Sequence, residues 1–213
     1  MTQAGRLAAT AAAYDAVSAR YAQFVGGAVD GPPLDLAVLG AFAEHARSRG
    51  GLVADLGCGQ GRIGAHLAGL GLDLIGCDIS PELIALARAA YPGLRFALAS
   101  MDALPLADAA LGGIVSWYSV IHAQPGDVPG YLAEFARVLQ PGGTALIAFF
   151  EAAGNQVSPF DHAVATAYRW PLDELAALAH SAGLAETGRM SREPAPSERY
   201  RRGHLLLQRR SRR

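Results

Sequence analysis

Between Leu52 and Arg62 the chain reads LVADLGCGQGR. Apolar Leu52, Val53 and Ala54 lead into Asp55. Glycine then takes every second position, at Gly57, Gly59 and Gly61, before Ile63, Leu67 and Leu70 fall at helical spacing. This pattern is a strand, a tight turn and a helix start, because glycine turns sharply and lets a ligand approach the main chain closely. The unpaired N–H groups of the helix start would face that ligand. A dinucleotide loop wants G-x-G-x-x-G, and Arg62 stands where its third glycine belongs. That makes a nicotinamide dehydrogenase the weakest reading of the loop.

The rest of the chain alternates strand and helix, which predicts a mainly parallel sheet covered on both faces. One amphipathic helix is expected over residues 5–25, stopped by Gly26-Gly27, and a second over Leu34 to Arg47, after Gly31-Pro32-Pro33. Strands are expected at Leu72 to Cys77, Leu94 to Ala99, Leu111 to Trp117 and Thr144 to Phe150, the last entered by a tight turn at Pro141-Gly142-Gly143. Helices are expected from Ser80-Pro81, over Val128 to Leu139 and from Pro171 to Gly183. A long loop, Glu151 to Trp170, and a final strand pair, Leu184 to Met190 and Gly203 to Gln208, complete the pattern.

With Asp55 in front, the loop reads D-x-G-x-G-x-G and resembles the first motif of class I S-adenosylmethionine-dependent methyltransferases. AYDAVSARYAQF resembles the family's N-terminal lid helix, and RVLQPGGTALIAF its helix–Pro-Gly-Gly–strand passage. The resemblance implies an α/β fold with a three-layer doubly wound sheet, mainly parallel with an antiparallel last strand (a Rossmann-like methyltransferase fold). One domain would span 1–213, with 1–50 as a helical lid. The implied cofactor is S-adenosyl-L-methionine, leaving S-adenosyl-L-homocysteine, with no metal. Its site would comprise Asp55, Gly57, Cys58, Gly59, Gly61, Arg62, Asp78 and Ile79, with Tyr14 and Tyr21 from the lid. Asp78, at the end of the second strand, suits both ribose hydroxyls, since a carboxylate accepts two donors. At the third strand end the family's adenine-binding acid falls on Ser100. Met101 follows and Asp102 comes two residues late, so Ser100 and Met101 rank above Asp102. Ser116 and Trp117 would serve the methionine end of the cofactor.

His122 and Tyr118 are the catalytic candidates. The cofactor carries an activated methyl, so a base is needed only if the nucleophile arrives protonated, and His122 titrates in the useful range. Substrate contacts are expected from Tyr118, His122, Asp161, His162, Tyr168 and Trp170, the last four in a loop long enough to be functional. WYSVIH and HAVATAYRWPL together resemble a subgroup of small bacterial methyltransferases. SWYS stands where N-P-P-Y would mark amino-group methylation. Catechol-type metal sites need an Asp at the fourth strand end and an Asp-Asn pair after the fifth strand, which Ser116 and Phe149-Phe150-Glu151 do not supply. What remains is a small-molecule acceptor, such as a specialised metabolite, methylated on O, N or S.

Composition supports this frame. The 213 residues suit one domain, and a net charge of −1 gives no overall pull toward nucleic acid or membrane. Residues 171–213 carry nine Arg against five acids, while residues 1–170 carry nine against fourteen. The basic run Arg209–Arg213 reads as a solvated terminus. All eighteen basic residues are Arg, which excludes lysine chemistry such as a Schiff base. Cys58 and Cys77 have no metal-ligand spacing, and a reducing cytoplasm fits them. The start of the chain has no continuous apolar run of a signal peptide, and no stretch reaches membrane-span length. A monomer or homodimer is expected. Two alternatives stay open: methyl transfer to nucleic acid or protein through the Arg-rich end, and a non-catalytic cofactor-binding module.

Overall fold

A computed structural model describes residues 1–26, 29 and 31–211. The Gly27 half of the expected helix stop, and Arg212 and Arg213 of the basic tail, lie outside the described residues. Seven strands form one sheet: β1 (Leu52–Leu56), β2 (Leu74–Asp78), β3 (Arg95–Leu98), β4 (Leu111–Trp117), β5 (Leu139–Phe150), β8 (Leu184–Arg192) and β9 (Arg202–Arg209). Their spatial order is β3-β2-β1-β4-β5-β9-β8. The first five run parallel, β9 inserts antiparallel beside β5, and β8 closes the edge antiparallel to β9. This is the expected doubly wound sheet with an antiparallel final strand.

Both faces are buried, and the strand alternation shows why. Ala54, Leu56, Ile114, Ile147, Phe149 and Leu205 point to one face and pack on Leu132 and Phe135 of α6 (Val128–Val138) and Leu175 of α7 (Leu172–Ser181). Their neighbours Val53, Val115, Leu146 and Leu206 point to the other. They meet Leu39 and Phe42 of α3 (Pro33–Arg49) and Ile63 and Leu67 of α4 (Arg62–Gly69). Successive strand residues face opposite sides, so near-continuous apolar runs are what a two-sided core requires. The chain leaves β1 toward β2 and β3, then returns to β4 and β5 on its other side. The crevice beyond the carboxyl ends of β1 and β4 is therefore the switch point where such sheets bind ligands.

Several expected boundaries move. The first helix is two, α1 (Gln3–Asp15) and α2 (Ser18–Val25), broken at Ala16-Val17. The break lets α2 swing to the glycine loop, where the Gln60 side-chain amide donates to the Gly26 carbonyl at 2.5 Å. The second strand starts at Leu74 because Gly71 (φ +86°) and a bond from Leu72 N–H to the Leu67 carbonyl keep Leu72 in the helix stop. β5 is assigned from Leu139, yet Gly142 has φ +78° and the regular ladder to β4 begins where Thr144 pairs with Gly113. The segment Glu151 to Trp170 is not a plain loop. It folds as a hairpin, β6 (Ser158–Asp161) and β7 (Thr166–Arg169), against β5 and the Val120–His122 turn, while α5 (Pro81–Ala90) follows β2. Trp170 N–H returns to the Phe150 carbonyl at 2.9 Å, closing the excursion where it began.

Behind the strand ends lies a buried charged group. Arg192 donates to both carboxylate oxygens of Asp35 (2.6 and 2.8 Å) and of Glu198 (2.5 and 2.8 Å). His204 of β9 is fully buried beside it, with Nε2 3.8 Å from Asp35 and 3.4 Å from the Tyr118 hydroxyl. Burial pushes the His204 imidazole down from 6.5 to about 4, against the pull of Asp35. It is thus neutral when folded and takes a proton on unfolding. Its stabilising contribution is complete above pH 6.5 and lost as the pH falls toward 4. Asp55, whose pKa is raised, acts in the opposite sense, so the test is a difference. Urea unfolding of wild type and His204→Gln should show the wild type's advantage shrinking by about 3 kcal/mol between pH 7 and pH 4. An unchanged advantage would contradict this assignment.

Candidate functional site

The glycine loop is built by left-handed backbone. Gly57, Gly59 and Gly61 have φ of +72°, +54° and +86°. At Gly57 there is a second constraint, since a Cβ would lie 2.2 Å from the Ser119 Cβ. At Gly61 a Cβ would lie 2.8 Å from the Phe96 ring. The loop is tied to β2 by Gly57 and Cys58 N–H groups that share the Cys77 carbonyl at 2.7 and 3.0 Å. Ser119 braces it from the other side, its hydroxyl donating to the Leu56 carbonyl at 2.6 Å and meeting the Ser116 hydroxyl at 2.8 Å.

Two carboxylates flank the loop with different tasks. Asp55 is buried and accepts from Gly64 N–H in the first turn of α4 at 3.0 Å. Burial pushes its carboxyl up to about 7, and the Gly64 amide restrains that shift. Asp55 therefore fastens loop to helix. Asp78 accepts from Gly59 N–H at 2.8 Å on one oxygen and Ser80 N–H at 2.9 Å on the other. Burial raises its pKa, and its backbone donors oppose the rise.

One pocket gathers most of the expected residues. Its walls include Asp55, Gly57, Cys58, Gly59, Arg62, Asp78 and Ile79 from the loop and β2 end. Ser100 and Met101 close the expected adenine side, and the buried Ser100 hydroxyl has no hydrogen-bond partner. Trp117, Tyr118, His122 and His162 form the far end, with Tyr14 and Tyr21 above them. Tyr14 and Tyr21 stack edge to face at 5.3 Å.

At that far end the geometry sets a tautomer. His122 Nδ1–H donates to the Thr166 carbonyl at 3.0 Å, which leaves the Nε2 lone pair to accept from the Tyr14 hydroxyl at 2.8 Å. Burial lowers the His122 pKa to about 4, the Thr166 carbonyl opposes this, and His162, whose ring is 5.1 Å away, adds to it. Burial, with Arg202, also lowers His162. Burial holds the Tyr14 hydroxyl well above the usual tyrosine range. Tyr118 adopts φ +53°, a conformation rare outside glycine, and its ring stacks on Phe150 at 5.2 Å.

Six expected contacts fall outside the pocket walls. Gly61 is spent on turn geometry against Phe96. Asp102 faces the lid instead of the adenine side, accepting from Gln3 Nε2 at 2.8 Å. Ser116 is buried behind the loop as a brace for Ser119. Asp161 is exposed on β6, and Tyr168 packs against the core on β7. Trp170 is 1 % exposed and belongs to the core, because the hairpin returns it beside the end of β5. Conversely, Arg6, Leu7 and Thr10 of α1 and Gln124, Asp127 and Tyr131 line the pocket unforeseen. The lid's helical spacing already placed Leu7, Thr10 and Tyr14 on one face. Arg6 joins that face through its ion pair to Asp127 at 2.5 Å.

Known proteins match this arrangement. A family model described as a methyltransferase domain matches residues 53–143, the stretch from β1 through the turn before the regular part of β5. Demethylmenaquinone methyltransferase of Chlorobaculum parvum is 33% identical over 96 residues, covering 45% of this chain and 39% of that protein. The chain thus spans about two fifths of that relative's length. The 1,6-didemethyltoxoflavin N1-methyltransferase of Burkholderia thailandensis, solved with its substrate and S-adenosylhomocysteine, superposes with a TM-score of 0.69. It is 23% identical, covering 82% of this chain and 77% of that one. The cyclase SpnF shares the fold with a TM-score of 0.75 at 15% identity, covering 94% of each chain. Together, family model, relatives and fold support reading this chain as a class I S-adenosylmethionine-dependent methyltransferase.

The two loop glycines give a direct check on the packing. Gly59 has open space where a Cβ would go, and Gly57 has Ser119. Gly59→Ala should cost only the left-handed penalty, about 1–2 kcal/mol. Gly57→Ala should cost about 1–3 kcal/mol more from overpacking. Equal unfolding free energies for the two variants would contradict the Ser119 brace.

Proposed function

We propose that this protein transfers a methyl group from S-adenosyl-L-methionine to an oxygen, nitrogen or sulfur of a small molecule, such as a specialised metabolite, in the cytoplasm. The observation that carries the reading is one pocket with a two-oxygen acceptor, Asp78, at one end and a neutral histidine, His122, at the other. When bound, the cofactor supplies a methyl already activated on positive sulfur. Asp78 would hold the ribose hydroxyls. Ile79 and Met101 would sandwich the adenine, with Ser100 offering its unpaired hydroxyl to the ring edge. Trp117 and Tyr118 would present ring faces to the cation, worth roughly 0.5 to 2 kcal/mol. Tyr14, Tyr21 and α1 would exclude water and align the acceptor.

His122 would accept the acceptor's proton at Nε2 as methylation makes that proton acidic, with the Tyr14 hydroxyl giving up this lone pair when the acceptor arrives. The Thr166 carbonyl keeps the tautomer right for this. No helix among the described residues is long and apolar enough to cross a membrane. No cluster of three or more His, Cys, Asp or Glu suited to a metal occurs among them. The proposed transfer runs without a metal. Among the described residues of the basic end, Arg209 donates to the Leu139 carbonyl and Arg210 lies against His180, which supports a small-molecule acceptor over nucleic acid. The alternative reading is cofactor binding without methyl transfer. Release of S-adenosylhomocysteine during turnover would exclude it.

Calorimetric titration with S-adenosylhomocysteine should show Asp78→Asn weakened on the order of a hundredfold, the worth of about two charge-assisted hydrogen bonds. Unchanged affinity would overturn the site. His122→Ala should lower turnover by about 10²–10⁴-fold and barely alter cofactor affinity. Since His122 sits at about 4, its base form is complete from pH 6 to 9. A flat activity profile there is expected, and an acid limb near 6.5 belonging to His122 would contradict the assignment.

A further inference from the structure

Helix α1 lies across the pocket, yet none of its residues is fully buried. Core packing therefore does not hold it down, and its ties are polar. Gln3 donates to Asp102 at 2.8 Å, Arg6 pairs with Asp127 at 2.5 Å, and Tyr14 donates to His122 at 2.8 Å. At its C-terminal end, Asp15 Oδ1 accepts from the Ser80 hydroxyl at 2.5 Å and from Glu82 N–H at 3.3 Å. Among these four, only the Asp15 tie reaches the ribose end of the pocket. Ser80 also caps α5, accepting from Leu83 N–H at 3.0 Å, and its own N–H donates to Asp78 at 2.9 Å. The lid carboxylate and the Asp78 carboxylate are thus joined through one buried serine.

We propose that Asp15 is a positioning residue, the latch that closes α1 over the bound cofactor. This rests on the reading of Asp78 as the ribose carboxylate. Asp15 sits at the N-terminus of α5, where a negative charge and two converging donors hold it well. It follows Tyr14 directly, so fixing Asp15 fixes the Tyr14 hydroxyl at His122 Nε2 and its ring against Tyr21. The ribose would lie beneath this contact, so release of the spent cofactor requires the Asp15–Ser80 bond to open first. The break between α1 and α2 then has a purpose, since it frees Asp15 to turn toward α5.

The test is the dissociation rate of S-adenosylhomocysteine, chased by excess unlabelled cofactor, in wild type, Asp15→Ala and Asp15→Asn. Asp15→Ala should release the product about tenfold faster or more, the equivalent of one charge-assisted hydrogen bond, with its thermal midpoint unchanged. Asp15→Asn keeps an acceptor oxygen for Ser80 but loses the charge, so its rate should fall between wild type and Asp15→Ala. A rate in Asp15→Ala within about twofold of wild type, or Asp15→Asn as fast as Asp15→Ala, overturns the latch, since a lost hydrogen bond of this kind changes rates by more. Wild type that fails to bind S-adenosylhomocysteine would overturn the cofactor reading instead. Amide exchange of residues 3–15 in the ligand-free protein would then decide. Faster exchange in Asp15→Ala supports the latch, and equal exchange overturns it.

Discussion

The Asp78 carboxylate is where the parts of this molecule meet. One oxygen holds the glycine loop through Gly59, and the other holds the start of α5 through Ser80, which in turn holds the lid through Asp15. A carboxylate taken out of water costs several kcal/mol unless donors replace the lost hydration. Here backbone N–H groups do so, and they come from the segments that must be placed around a cofactor. On the proposed reading, binding a ribose at Asp78 would order the loop and lid in the same event.

The loop itself was the most legible part of the sequence. Glycine at every second position has a local cause, left-handed backbone, and local causes can be read from residues. The alternation of strand and helix was equally plain, because a two-sided core forces apolar runs such as those of β4 and β5. The antiparallel insertion of β9 followed from the resemblance and is present. The contact of Gly57 with Ser119, by contrast, joins residues 62 apart, and nothing local announces it.

What escaped the sequence depended on long-range contact. An Ala-rich segment gives no sign that a helix breaks at Ala16-Val17, because the reason lies across the pocket at Ser80. Residues 151–170 read as a loop, since neither hairpin strand has strong alternation and the turn lacks an Asn-Gly or Asp-Gly signal. Trp170 and Tyr168 looked like substrate contacts because large aromatics in a loop suggest recognition, but the return of the hairpin to Phe150 buries Trp170 in the core. Asp102 shows the same limit, since whether an acid serves the adenine or the lid depends on Gln3, almost a hundred residues earlier. For His122 the position was legible and the charge state was not. Burial, not the intrinsic imidazole, sets its pKa, so a pH profile means something different from what the residue type alone suggests.

The central claim is that the activated methyl sits between the lid and the end of β4. Titration with S-adenosylmethionine carrying a ¹³C-labelled methyl, followed by NMR, tests it directly. The account predicts one saturable site whose methyl protons show Overhauser contacts to ring protons of Tyr14, Tyr118 or His122. No saturable binding, or a bound methyl in contact with none of these rings, would contradict it.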